Sequence, residues 1–189
     1  NNYKSIEAYL SKYRKLLEPK PEGYSGKWEG RKPGPYQWYE IQGSISYYKQ
    51  FEEPKIIYIH TAKNHQFYLD YEGTFINNSC YMIISDDKFL YAYLNSKLFH
   101  WFKKIKFVAY GDADEAGRAK LDYNKMITIP MKNLNEDEKR PFIEIIDKIL
   151  ELKRKDSNTD VTQLEHKIDN MIYELYGLTE EEIKIVEGE

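Results

Sequence analysis

The stretch Ile56-Ile57-Tyr58-Ile59-His60 predicts the central strand of a β-sheet. It is an almost unbroken apolar run, as expected of a strand that is covered on both faces. Strand-like patterns recur on either side of it, over Tyr36–Gln42, Gln66–Asp70, Thr74–Ile76, Cys80–Ser85, Ile105–Tyr110 and Met126–Ile129. The polar segment Gly111–Asn124 predicts a loop between the last two of these strands. Together the patterns predict an α/β fold with a twisted sheet, either mixed or antiparallel.

Apolar residues at helical spacing predict helices that flank this sheet. An amphipathic helix is expected over residues 6–17, with Ser5 as its N-cap and Pro19 after its end. A second helix is expected to begin after Asp86 and Asp87. Its residues form one continuous apolar stripe, made of Leu90, Leu94, Leu98, Trp101 and Phe102.

From residue 135 onward the pattern is entirely helical and predicts a hairpin of antiparallel helices, followed by a short third helix. Capping signals mark the helix ends, namely Asp160 with Gln163, Gly177, and Thr179 with Glu182. We expect the apolar stripes of the hairpin to be buried, namely Ile143, Ile146, Ile149, Leu164, Ile168 and Leu175. The predicted organisation is an α/β domain over 1–134 and a helical hairpin subdomain over 135–189.

The composition indicates a globular protein. With 189 residues and 22.6 kDa, the chain is long enough for one domain and an appended subdomain. The single Cys80 excludes an intrachain disulfide, and no apolar run has the length of a membrane span. We therefore expect a cytoplasmic protein without a membrane segment, monomeric in isolation. The first residue is Asn1 and not methionine, which suggests a segment of a longer protein.

The net charge of −3 hides an asymmetry along the chain. Residues 1–125 contain 19 Lys and Arg against 15 Asp and Glu, a net charge of +4, whereas residues 126–189 contain 9 against 16, a net charge of −7. A basic body with an acidic tail suggests that the first part contacts a polyanion. The alternative on charge alone is that both are ordinary solvated surfaces.

The sequence lacks the patterns of the common catalytic sites. Its four histidines are scattered around one cysteine and have no zinc-ligand spacing. A Walker loop, a Gly-x-Ser-x-Gly elbow and a His-Glu-x-x-His helix are all absent, as is the Asn-Pro-Pro-Tyr loop of amino-methyltransferases. We therefore expect a chain that binds, with neither a metal site nor a catalytic site of its own.

Four polar loops in the basic part contain residues suited to hydrogen-bonding the bases or phosphates of a nucleic acid. The residues predicted to bind it are Lys27, Arg31, Lys32, Gln37, Lys63, Asn64, Gln66, Asn78, Arg118 and Lys120. Amides can make bidentate contacts to adenine and arginines to guanine, so Gln37, Asn64 and Asn78 are expected to read adenine, and Arg31 or Arg118 guanine. The lysines are expected to hold phosphates, and all ten residues to share one face. Each loop by itself is also compatible with an ordinary solvated turn.

A series of blocks along the chain resembles the C-terminal specificity domain of Taq-type adenine DNA methyltransferases. A similar domain lies at the C-terminus of single-chain type IIG restriction–modification enzymes. The blocks are Trp38–Gln42, Phe51–Tyr58, Tyr91–Leu98, Ile129-Pro130, Pro141–Ile143 and Tyr173–Thr179. Their ordered succession over nearly the whole chain is more specific than any one of them. Each block also reads as scaffold, such as a core strand or a helix end.

This resemblance implies a non-catalytic module that recognises duplex DNA for a bacterial or archaeal restriction–modification enzyme. The parent protein would bind S-adenosylmethionine through an N-terminal catalytic region, and Mg²⁺ if it is also an endonuclease. That catalytic region would be the second partner of the chain, beside double-stranded DNA. Two alternatives remain, a target-recognition domain of a type I specificity subunit and a tyrosine-rich protein–protein interaction module.

Overall fold

The computed structural model describes residues 3–43, 45–107 and 118–188, together with the backbone of residues 109 and 110. The chain divides into two compact units, residues 1–49 and 50–189. The boundary predicted at 134/135 lies inside the second unit, where the C-terminal helices pack on the helices before them. The fold is mixed α/β with antiparallel sheets and C-terminal helices, as the sequence predicts.

The first unit consists of two short helices followed by largely irregular backbone, and a 3₁₀ helix (Tyr48–Phe51) begins at its end. Helices α1 (Lys4–Ser11) and α2 (Arg14–Leu17) replace the single helix expected over 6–17, because the backbone leaves the helical conformation at Tyr13. Ser5 lies inside α1, so the prediction that it is the N-cap was wrong. The strand predicted over Tyr36–Gln42 is also absent from this part of the structure, and turns take its place.

The first sheet of the second unit has β1 (Lys55–Ile59) between β3 (Phe67–Asp70) and β4 (Cys80–Ile84), and both pairings are antiparallel. The predicted central strand is therefore confirmed, with Ile56 and Tyr58 buried. It is not covered on both faces as expected, because Ile57 is half-buried and Ile59 is exposed. The strand predicted over Thr74–Ile76 is irregular backbone instead.

A second antiparallel sheet contains the shortest strands, in the order β2 (Thr61–Ala62), β6 (Arg118–Lys120) and β5 (Ala109–Tyr110). The predicted strand over 105–110 is confirmed only at Ala109 and Tyr110, because the preceding helix continues to Lys106. Of the predicted loop 111–124, residues 111–117 lie outside the described residues. Its remainder forms β6 and the start of a helix.

The rest of the second unit, where the structure describes it, is largely helical. Its helices are α3 (Lys88–Asn95), α4 (Lys97–Lys106), α5 (Tyr123–Met126), α6 (Glu136–Lys155), α7 (Thr162–Tyr176) and α8 (Glu180–Glu187). Asp87 caps α3 as predicted. The helix expected to follow it is broken at Ser96, whose extended backbone ends α3 and whose hydroxyl caps α4. The strand predicted over 126–129 is wrong, because α5 ends at Met126 and a turn follows it.

The caps of the C-terminal helices are partly as predicted. Thr179 and Glu182 form a capping box, and Gly177 has a left-handed backbone with a φ of 71° at the end of α7. Asp160 instead accepts hydrogen bonds from Thr162, so its predicted box is wrong. A further capping box that the sequence analysis did not identify begins α6, at Asn135 with Glu138.

The core lies between the first sheet and the helices. Of the predicted stripe residues, Ile146, Ile149 and Ile168 are buried, and Leu164 and Leu175 pack against the core as half-buried residues. Ile143 is half-buried outside this cluster, and Ile145 is buried in its place, because the buried face of α6 is rotated from the predicted one.

Three of the sequence blocks meet at Pro130. The carbonyl of Pro130 accepts hydrogen bonds from the hydroxyls of Tyr93, at 2.8 Å, and Tyr176, at 3.2 Å. The two tyrosine rings stack with their centroids 5.6 Å apart. These residues belong to the blocks 91–98, 129–130 and 173–179, so this part of the series joins the C-terminal helices to α3. In the ranges that the structure covers, no helix is both long and apolar enough to cross a bilayer.

Candidate nucleic-acid interface

The residues predicted to bind DNA belong to both units. Four lie in the first unit, namely Lys27, Arg31, Lys32 and Gln37, and six lie in the second, namely Lys63, Asn64, Gln66, Asn78, Arg118 and Lys120. That all ten share one face stays a prediction.

The antiparallel order of the first sheet brings polar residues to the end where β1 stops. Because β3 and β4 both run opposite to β1, they begin where β1 ends. Gln66 directly precedes β3, and Asn78 lies in the turn before β4. The backbone N–H of His60 stabilises that turn by donating a 3.0 Å hydrogen bond to the carbonyl of Ser79. Gln66 and Asn78 therefore lie at the same end of the sheet.

The second sheet brings the remaining four residues to this end. Strand β2 follows β1 directly and pairs with β6, so that Thr61 is opposite Lys120. Lys63 and Asn64 come directly after β2, and Arg118 begins β6. The side chains of Lys63, Asn64, Gln66, Asn78 and Arg118 are exposed, and Lys120 is half-buried. We call these six residues the sheet-end cluster.

The cations of the sheet-end cluster have no acidic partners among the described residues. No carboxylate of those ranges lies within 4.0 Å of the charged groups of Lys63, Arg118 or Lys120. Elsewhere in the second unit, Lys88 pairs with an aspartate at 2.5 Å and Lys139 with another at 2.7 Å. Within the described ranges, the cations of the sheet-end cluster are therefore not neutralised by ion pairs, which favours contact with an anion.

In the first unit, Arg31 is bound within its own loop. Its guanidinium donates hydrogen bonds of 2.6 to 3.0 Å to four backbone carbonyls, those of Leu17, Gln37, Trp38 and Glu40. It also lies over the ring of Tyr36, 4.6 Å from its centroid. Four of its five N–H bonds are used in this way. Contact between Arg31 and a guanine edge would require some of these bonds to break.

These bonds also explain why residues 36–42 are not a strand. The carbonyls of Gln37, Trp38 and Glu40 point to the guanidinium of Arg31, so they are not available to a strand partner. In the same loop, the backbone at Gly30 packs closely against the backbone at Glu18. A Cβ at position 30 would lie 2.3 Å from the carbonyl oxygen of Glu18, so a glycine is needed there. The loop is thus internally braced. The other three predicted residues of this unit, Lys27, Lys32 and Gln37, are exposed.

The loop of residues 63–66 contains a buried polar group, although its sequence predicts a polar loop able to contact bases or phosphates. His65 is buried between the exposed Asn64 and Gln66, and its Nδ1 is 3.2 Å from Nζ of Lys103, a buried residue of α4. Burial lowers the pKa of Lys103, and burial together with the Lys103 cation lowers the pKa of His65 to about 4. His100 has its pKa lowered to about 4 for the same two reasons. His65 is therefore neutral at pH 7.

The run Lys103-Lys104-x-Lys106 was the available sequence signal for this region. Lys104 and Lys106 are exposed on the last turn of α4, the helix that contacts the 63–66 loop through Lys103. Across the ranges that the structure covers, no group of three or more His, Cys, Asp and Glu side chains is arranged to hold a metal ion.

Comparison with known proteins gives one family. Residues 9–131 match the family model of the TaqI-like C-terminal specificity domain. The match includes all ten predicted binding residues and ends before α6, so the last three helices lie outside it. No curated protein matches the chain at a significant level.

Proposed function

The chain belongs to the TaqI-like C-terminal specificity domains, and from this premise we propose that it recognises a specific duplex DNA sequence for an adenine-specific methyltransferase of a restriction–modification system. A specificity domain is not catalytic by itself, so the chain would select the site and another region would modify it. S-adenosylmethionine, and Mg²⁺ in a parent that also cleaves DNA, would be bound by that other region.

The observation that supports this proposal best is the sheet-end cluster. Its cations lack acidic partners in the described ranges, and exposed amides lie among them. Cations that contact phosphates supply affinity without sequence information, whereas amides can read adenine edges in the major groove. The combination of Lys63, Arg118 and Lys120 with Asn64, Gln66 and Asn78 therefore offers both kinds of contact at one end of a sheet.

The acidic C-terminal helices would have a different function. Residues 126–189 have a net charge of −7, which opposes contact with phosphate. Helix α6 packs on α3, and α7 and α8 pack on α4. We infer that these helices support the recognition elements and offer a surface to the catalytic region of the parent protein.

A salt titration tests DNA binding directly. With about four phosphate contacts, the logarithm of the affinity for a duplex should fall against the logarithm of salt concentration with a slope of about −3 to −4. Lys63→Gln and Lys120→Gln should each reduce the magnitude of the slope by about 0.9 if that lysine contacts a phosphate. Lys155→Gln is the matched control, since Lys155 is exposed at the end of α6 and paired with Glu151.

Two results would contradict the proposal. A flat salt titration would show that the chain makes no electrostatic contact with DNA. Turnover of S-adenosylmethionine by the chain would contradict its non-catalytic role. A flat titration would instead favour a protein–protein interface, because the first unit exposes Tyr39, Ile41 and Ile45 around a depression of about 550 Å³. An aromatic protein interface is much less sensitive to salt.

A further inference from the structure

Lys103 is a buried lysine without an acidic partner in the described part of the chain. Lys103 is 5% exposed, and no carboxylate of the described residues lies within 4.0 Å of its Nζ. Its hydrogen-bond partners are Nδ1 of His65, at 3.2 Å, and the carbonyl oxygen of Lys63, at 3.4 Å. Burial of an unpaired ammonium group is unfavourable. Both partners of this lysine belong to a single loop, the one that contains Asn64 and Gln66.

The side chains of that loop alternate between exposed and buried. Asn64 is exposed, His65 is 1% exposed, and Gln66 is exposed. Aromatic packing holds the surroundings of His65 in place, since Phe67 lies edge-to-face against Phe99 of α4 with ring centroids 5.5 Å apart. A fixed ring at position 65 therefore restricts the directions in which its two neighbours project.

We propose that Lys103 and His65 form a buried anchor that positions the amides of Asn64 and Gln66 for base recognition. This inference rests on the proposed function. Lys103 and His65 do not contact DNA in this arrangement; they are positioning residues. The anchor requires His65 to be neutral with Nδ1 as an acceptor, so that its proton is on Nε2, which has no hydrogen-bond partner among the described residues.

The experiment measures sequence preference separately from total DNA binding. The 189-residue chain is used to select from a pool of duplexes with a randomised centre, and the salt slope is measured on the unselected pool. Lys103→Met retains the length of the side chain without its donor, and Lys104→Met is the matched control on the exposed face of the same helix turn. Lys103→Met should lower the preference for the selected duplex over a scrambled one by about tenfold, the discrimination of one bidentate contact. Its salt slope should be unchanged, and Lys104→Met should retain the preference.

A second pair of variants covers the case in which Lys103→Met fails to fold. His65→Asn places an amide oxygen near the position of Nδ1 and should retain the preference, whereas His65→Leu removes the acceptor and should lose it. In the unaltered chain, the nitrogen chemical shifts of the His65 ring should show Nδ1 unprotonated at pH 7. This measurement needs no variant, and a protonated Nδ1 would overturn the anchor.

The outcomes separate the two proposals. If the unaltered chain shows no salt-dependent binding or no selected sequence, the proposed function fails. If it selects a sequence and a folded Lys103→Met selects the same one equally well, the anchor is wrong and the proposed function stands. A parallel loss of pool affinity and preference would also overturn the anchor, because it would indicate a general structural role.

Discussion

Nζ of Lys55 and Oδ2 of Asp70 are 2.5 Å apart inside the second unit, with side chains that are 0% and 1% exposed. The pair joins β1 to β3 at one end of the two paired strands, where Lys55 lies opposite Asp70. Asp70 also accepts hydrogen bonds from the backbone and hydroxyl of Thr74, and Lys55 donates to the carbonyl of Phe51. The ion pair is thus embedded in a satisfied polar network.

Removal of one member of this pair should be strongly destabilising. Lys55→Met leaves the Asp70 carboxylate buried without its cation, so the free energy of unfolding should fall by about 3–5 kcal/mol. The double variant Lys55→Met/Asp70→Leu should recover part of that loss, since no charge is left unpaired. Urea unfolding followed by circular dichroism measures both. A single variant as stable as the unaltered chain would contradict the network.

The same pair should make stability depend on pH in the acid range. Burial by itself raises the pKa of Asp70, but hydrogen bonds from Lys55 and Thr74 outweigh it and hold the pKa at about 2. Because this folded-state pKa lies below the unfolded value of about 4, the contribution to stability is complete above pH 4. It is lost as the pH falls through about 2. The difference in stability between the unaltered chain and Asp70→Asn should therefore shrink between pH 4 and pH 2; a constant difference would oppose this account.

Core residues of the C-terminal helices should contribute substantially to the free energy of unfolding. Ile146 of α6 is 2% exposed and Ile168 of α7 is 5% exposed. Their replacement by alanine should each lower the free energy of unfolding by about 2–4 kcal/mol, through lost burial and the cavity that remains. Ile185→Ala serves as the control because Ile185 is 58% exposed, and its effect should stay within about 0.5 kcal/mol. Melting curves that leave both core variants unchanged would exclude a scaffold role for these helices.

Arg31→Ala should loosen the loop of the first unit. The variant loses four hydrogen bonds to backbone carbonyls, so residues 18–40 should exchange amide hydrogens faster and become more sensitive to protease. Arg31→Lys should not restore the loop, since an ammonium group cannot reproduce the guanidinium fork. Lys32→Ala, at an exposed neighbour, is the control. If Arg31→Ala leaves exchange unchanged but relaxes one base position in the bound DNA, Arg31 is a base reader instead.

Several features were predictable from the sequence because their causes are local. The apolar run at residues 56–60 indicates a central strand whatever its partners are. The cap formed by Thr179 and Glu182 and the left-handed Gly177 involve residues a few positions apart, so their signatures are complete within one helix turn. The family resemblance is also visible in the sequence, since the scaffold blocks are contiguous segments.

Only the tertiary structure decided the features that depend on distant partners. Residues 36–42 have strand-like composition, yet Arg31 holds their carbonyls in turns. Strand β6 pairs with the nearby β5 on one side, but on its other side it pairs with β2, more than 50 positions earlier. Lys103 lies in a run of lysines that reads as a solvated helix end, but the fold places its ammonium under His65, 38 positions away. The physical reason is the same in each case: local sequence sets backbone preference and amphipathicity, whereas buried hydrogen bonds form between residues that only the folded chain brings together.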